Sequence, residues 1–291
     1  DLHVRSRRQR QMCIRDRGVK FMKVYISADI EGTCGIVDWE ETNLHDPQAT
    51  YHKEQMTKEV NAACLGANDL GCEDIFVKDA HGSARSINPS MLPENTRILR
   101  GLARNPHMMM AGIDEGFDAS MFIGYHSAAS EDGNPLAHTM NSVEYDYIKL
   151  NGMILSEFIM NAYTSIYYGI PVAFLSGDEM LCENAKKIFP NIVTVAVSKG
   201  IGNGSVSVHP NLAVKRINEG VKEALSGDLS RHMIKLPEKF EIEIKFRNHF
   251  KAYRASFYPG VEKLDSQTIK FVTNDSVSYT HLRAHETLRH L

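Results

Sequence analysis

Val24-Tyr25-Ile26-Ser27-Ala28-Asp29-Ile30-Glu31-Gly32 is the stretch on which the reading of this chain turns. Its apolar start predicts a buried strand, which runs directly into two carboxylates one residue apart and then a glycine. Side chains two apart share a face of a strand, so Asp29 and Glu31 project together, and Gly32 lets the chain turn away without a Cβ in the way. Like charges held that close repel and resist desolvation, and a bound divalent cation relieves both. A solvated loop or a helix cap presents the same pattern, so the stretch by itself leaves both readings open.

Working outward, residues 73–79 predict a second strand that ends in Ala80-His81-Gly82, and residues 119–125 a third that ends in His126. Between the first two, residues 51–70 carry Met56, Val60, Ala63, Cys64 and Ala67 at helical spacing, with Gly71 as a stop. Strands separated by crossover-length connections and ending in potential ligands point to an open parallel α/β sheet, whose sites gather outside the carboxyl ends of its strands. Residues 33–50 read as a hydrophilic loop able to sit over such a site as a lid. The Met-rich segment 108–110 reads as core filler.

Further along, residues 145–150 predict a strand closed by Asn151-Gly152, a strong turn dipeptide. A helix over 154–168 follows, with Glu157 in its first turn. A carboxylate there gains from the helix N-terminus, yet amid apolar neighbours it wants a partner. Strands at 171–176 and 192–197, helices at 180–189 and 210–226, and a Gly-rich loop at 199–205 come next. That loop reads G-x-G-x-G and lacks the dinucleotide fingerprint and its context. From Pro237 the texture becomes strand alternation, in 241–246 and 270–272. The expected architecture is α/β, a mostly parallel sheet flanked by helices, with a smaller β-rich C-terminal region. Its boundaries are a metal-binding catalytic domain over 22–230 and the β-rich region over 231–275.

Composition agrees with a globular protein. The chain has 291 residues, 43% hydrophobic, with a formal net charge of −3, which gives no pull towards nucleic acid or an anionic membrane. No apolar run approaches the roughly 18 residues needed to span a bilayer. Five scattered cysteines without a Cys-x-x-Cys argue against a disulfide framework and a zinc ribbon, and make a reducing cytoplasm the simplest setting. Residues 1–21 are crowded with Arg and show no periodicity. With the closing stretch 276–291 they resemble translated sequencing-adapter read-through, so both ends are set aside, along with His281, His285 and His290.

The candidate ligands are therefore Asp29, Glu31, His81, His126 and Glu157, a mixture of carboxylate and imidazole suited to first-row divalent ions such as zinc. Five exceed the need of one tetrahedral ion. With a bridging carboxylate and a bridging water they suffice for two, an arrangement that makes hydroxide available near neutral pH and polarises a scissile carbonyl. Asp29, nearest the strand end, is the expected bridge. His138, in a loop close in sequence to His126, is the candidate for stabilising an oxyanion or passing a proton to the leaving amine, although a lone loop histidine is more often a surface residue.

Eight motifs carry a family resemblance: S-A-D-I-E-G (27–32), M-T-K-E-V-N (56–61), K-D-A-H-G (78–82), G-Y-H-S-A-A-S (124–130), A-H-T-M (137–140), N-G-x-x-x-S-E (151–157), S-G-D-E (176–179) and P-G-V-E (259–262). In this order and spacing, over about residues 22–275, they resemble the DppA-type zinc D-aminopeptidases. The resemblance implies two zinc ions per subunit on Asp29, Glu31, His81, His126 and Glu157, and the family's catalytic histidine at His138. It also implies short peptide substrates with an N-terminal D-residue such as D-alanine, and a homo-oligomeric ring with sites facing an inner channel. Two departures stand out. The stretch around Asn203 lacks the Arg that similar proteins carry, and the final helix expected after Asp275 is replaced by adapter-like sequence.

Two other functions compete with a metal-dependent aminopeptidase. One is a different dinuclear hydrolase acting on another amide or a phosphoester, which in the latter case wants basic residues near the metals; Lys78, Arg85 and Lys149 are the ones in view. The other is a metal-binding module without turnover.

Overall fold

A computed structural model describes residues 21–274. Residues 1–20 and 275–291, which include nearly all of both stretches set apart as foreign and the position of the expected final helix, lie outside the described residues.

Seven strands form the main sheet: β1 (Met22–Ala28), β2 (Cys72–Asp79), β3 (Thr96–Leu99), β4 (Ala119–Tyr125), β7 (Val172–Asp178), β8 (Val193–Ile201) and β9 (Gly204–Ser207), in the order β3-β2-β1-β4-β7-β8-β9. All neighbours are parallel except the β8–β9 pair. The strand order reverses direction between β1 and β4, so the crevice outside their carboxyl ends is the natural place for a site. A second, antiparallel sheet has the order β11-β12-β10-β5-β6, from β5 (Tyr145–Leu150), β6 (Met153–Ile154), β10 (Phe240–Phe246), β11 (Val261–Lys263) and β12 (Thr268–Thr273). The C-terminal strands thus complete a sheet that β5 and β6 begin.

Period-two alternation divides β1 between two cores. Val24, Ile26 and Ala28 pack with Met56, Val60, Ala63 and Ala67 of α1 (Ala49–Asn68) and with Ile217 and Val221 of α4 (Pro210–Leu225). Tyr25 faces the other way, into a core with Phe122, Phe158 of α2 (Glu157–Tyr167) and the apolar faces of the antiparallel sheet. α3 (Glu179–Ile188) and α5 (His249–Ala255) complete the α-helices among the described residues. Among the described residues, no helix is long and apolar enough to cross a membrane.

Two local expectations change. The helix carrying Glu157 starts at Glu157 itself, capped by the Ser156 hydroxyl on Ile159 N, because Met153 and Ile154 first pair back onto β5 through the Asn151-Gly152 turn. The Gly-rich stretch at 199–205 is a β-hairpin, with β8 running on to Ile201 and returning as β9. Glycine's open backbone hid the strand alternation there.

Candidate metal centre

Asp29 follows β1, His81 follows β2 and His126 follows β4, so three adjacent strand ends deliver three of the six candidate residues. Beyond Ala28 the chain leaves strand geometry: Asp29 N still donates to Ile123 O (2.8 Å), and Thr33 N then closes a turn on Ile30 O (2.9 Å). Ile30 is buried in the core, while Asp29 and Glu31 face the site. Gly32 serves a purpose beyond turning. A Cβ there would lie 1.7 Å from Tyr125 O, and one at Gly124 (φ +71°) 2.4 Å from Asp29 O, so the two strand ends meet backbone to backbone.

Glu157 comes from the first position of α2, reaching back to accept a hydrogen bond from Met140 N (2.5 Å). The loop between β4 and β5 carries His138 and is held at several points. Asp178 accepts from both Ser127 N and Ser127 Oγ (2.6 Å each), Asn134 Nδ2 donates to Glu31 O (3.0 Å), and Thr139 Oγ1 donates to Leu155 O (2.9 Å).

The six side chains converge. Donor atoms of Asp29, Glu31 and His81 lie within 4.8 Å of one another, as do those of Asp29, His126 and Glu157, and those of Glu31, His126 and His138. The two oxygens of Asp29 serve different neighbours: Oδ1 is 3.3 Å from His81 Nδ1, and Oδ2 is 3.7 Å from His126 Nε2. Glu31 Oε2 is 3.1 Å from His81 Nδ1, and Glu157 Oε1 lies 3.8 Å from His126 Nε2 and 3.5 Å from His138 Nε2.

The donor chemistry fits a divalent cation. His126 is fully buried and its Nδ1–H donates to Ser127 O (2.9 Å), which leaves Nε2 with a lone pair and no hydrogen-bond partner. An orphaned buried nitrogen facing two carboxylates is costly by itself and well suited to coordination. Charges are equally unsettled without an ion. Burial, then the charge of Glu31, raises Asp29 to about 7. Burial opposes protonation of His126, but Glu157, Glu31 and Asp29 outweigh it and push it up to about 9. A divalent cation would replace that proton and neutralise the carboxylates.

His138 differs from the others. Its Nδ1–H donates to Leu136 O (2.9 Å), its ring stacks on His126 (4.3 Å between centroids, 8° between planes), and Trp39 meets it edge-on at 5.1 Å. Burial, then the charge of His126, lowers its pKa. Its Nε2 is thus a neutral acceptor beside the donor cluster. Trp39 belongs to a short 3₁₀ helix within the 33–50 loop and lines the site; no periodic signal marked it.

The cluster opens into a cavity of about 620 Å³. A family profile for D-aminopeptidases matches residues 22–284. The chain belongs to the D-aminopeptidase family. Among its relatives, the D-aminopeptidase of Bacillus subtilis (strain 168) is 30% identical over 259 residues, covering 87% of this chain and 92% of that protein. A solved structure described as the Zn-dependent D-aminopeptidase DppA from Bacillus subtilis, a self-compartmentalizing protease, superposes with a TM-score of 0.84. It is 26% identical and covers 91% of this chain and 97% of its own. The D-aminopeptidase profile extends nine residues past residue 275, where the resemblance read from the sequence ends.

Of the basic residues expected near the metals, only Lys78 lines the cavity of this D-aminopeptidase family member. Its buried ammonium is committed to Asp79 O (2.7 Å) and Gly101 O (3.0 Å). Lys149 pairs with Glu243 in the second sheet, and Arg85 bonds Ser83 Oγ. Arg104, which does line the cavity, escaped sequence reasoning because its loop has no periodicity and lies far from every ligand motif.

Proposed function

We propose that the protein is a zinc-dependent aminopeptidase that removes N-terminal D-residues from short peptides. The observation that carries this is the pair of donor groups sharing Asp29. One holds Asp29, Glu31 and His81, the other Asp29, His126 and Glu157, so these five residues would hold two zinc ions with Asp29 common to both groups. The zinc dependence of the related DppA supports the choice of ion. When bound, the ions supply Lewis acidity, making hydroxide available near neutral pH and polarising the scissile carbonyl. His138 Nε2 takes up a proton and hands it to the departing amine. The Nδ1–H bond to Leu136 O holds the tautomer that keeps Nε2 free, and Trp39 and His126 hold the ring plane.

Metal-stripped protein should lose hydrolysis of D-alanyl dipeptides and regain it with zinc; equal rates in both forms would remove the reading. His138→Ala should keep its zinc while turnover falls by roughly 10²-fold or more, measured by metal analysis beside steady-state kinetics. Comparing matched D,D- and L,L-dipeptides at a defined zinc load tests the chirality.

The assembly we propose is a homo-oligomeric ring, supported by the self-compartmentalizing character of the related structure and by exposed Phe250, Tyr253 and Phe257 on and just after α5. Sedimentation at the mass of a single chain would rule it out. A cytoplasmic setting is supported by Cys34, Cys64, Cys72 and Cys182, all buried free thiols.

A further inference from the structure

Besides the donor cluster, the cavity is lined by a loop that includes Leu102, Arg104, Asn105 and Met108. Lys78 anchors its start through Gly101 O, and Gly101 N donates to Ala84 O (2.6 Å). Beyond that anchor the backbone is strained. Arg104 (φ 52°) and Met108 (φ 50°) both sit in the left-handed region, which residues with a Cβ hold only when their surroundings require it and which clusters at ligand-binding sites.

The loop is also incompletely satisfied. Asn105 Oδ1 is buried without a hydrogen-bond partner, and the Arg104 guanidinium has neither an ion pair nor a hydrogen bond among the described residues. The other charged groups lining the cavity are occupied. Asp29, Glu31 and Glu157 belong to the donor cluster, Glu144 is bridged to Lys251 (2.7 Å), and Lys78 is committed to two carbonyls. Outside the histidines of the cluster, Arg104 is the one uncommitted cation lining the cavity among the described residues.

We propose that Arg104 is the receptor for the terminal carboxylate of a dipeptide substrate, and so sets substrate length. The assignment rests on the aminopeptidase reading. With the scissile carbonyl at the donor cluster, a dipeptide's carboxylate lies within about 7 Å along the chain, and a guanidinium fork binds a carboxylate bidentately. A longer peptide puts a neutral amide at that point and leaves the guanidinium unpaired as the substrate covers it.

The test compares D-alanyl-D-alanine with its C-terminal amide, using the zinc-loaded full chain as wild type, Arg104→Met and Arg104→Lys, with zinc content measured in each. The wild type should favour the free acid in kcat/KM by at least about tenfold. Arg104→Met should abolish that preference, chiefly through KM for the acid, and Arg104→Lys should restore part of it. An acid-to-amide ratio that is the same in the Met variant as in the wild type overturns the role of Arg104 and leaves the aminopeptidase reading standing. A wild type that cleaves neither compound overturns both.

Discussion

Single residues in this molecule carry opposite kinds of burial. Glu59 is wholly buried in α1 beneath the loop that follows Glu31, accepting from Cys34 N (3.1 Å) and Gln55 Nε2 (3.0 Å), with its second oxygen unpartnered. Burial raises its pKa from 4.5 to about 7. The folded state therefore keeps a proton that the unfolded chain gives up, and stability from this group is fully present below about pH 4.5 and lost as pH rises through 7. Glu59→Gln should remove that slope, gaining roughly 2.5 kcal/mol on the wild type between pH 5 and pH 8 in urea unfolding. A gain that does not change with pH would show that Glu59 ionises in the fold as readily as in the unfolded chain. Glu31 poses the contrasting case: Glu31→Ala should lower bound zinc below two per chain, read by metal analysis, because it removes a donor from two of the three groups. Asp29, Glu31, His81 and His126 were legible because each stands where an apolar run stops. His138 showed only a modest signal from its nearness to His126 and was raised by its motif, since neither its ring stacking nor its fixed tautomer leaves a trace in local sequence. Trp39 and Arg104 left none at all.

At the scale of elements, the contact between the ends of β1 and β4 is decisive. Gly32→Ala would drive a Cβ into the Tyr125 carbonyl, which is backbone and cannot rotate aside. A loss of about 3 kcal/mol is expected in denaturant unfolding, together with reduced zinc retention, because Asp29, Glu31 and His126 flank the contact. Strand ends could be read from the sequence because apolar alternation is local, as in β4, where the expected 119–125 matches the observed element. The 199–205 hairpin could not, because its glycines supply no pattern and its pairing depends on a partner strand. The start of α2 was likewise set by pairing of β6 with β5 rather than by helical propensity.

For the whole molecule, binding of zinc to the folded state alone should raise stability by mass action. Chelation should lower the melting temperature by on the order of 10 °C, with recovery on adding zinc, as followed by differential scanning calorimetry. The broad architecture, a parallel sheet with ligands at its carboxyl edge and a β-rich C-terminal region, was legible from period and order alone. The sharing of the second sheet between residues 145–154 and the C-terminal strands was not, since such pairing joins segments some ninety residues apart.

That shared sheet reaches the chemistry. Glu157 stands three residues after β6, whose partner β5 is stitched to β10 from Ile242 to Phe246. Strands β10 and β12 therefore act as a guy-rope on one proposed metal donor. Slackening it by local unfolding of β10 and β12 would let ions leak away while the parallel sheet still stood, so metal retention would register damage to the C-terminal third before any loss of bulk secondary structure.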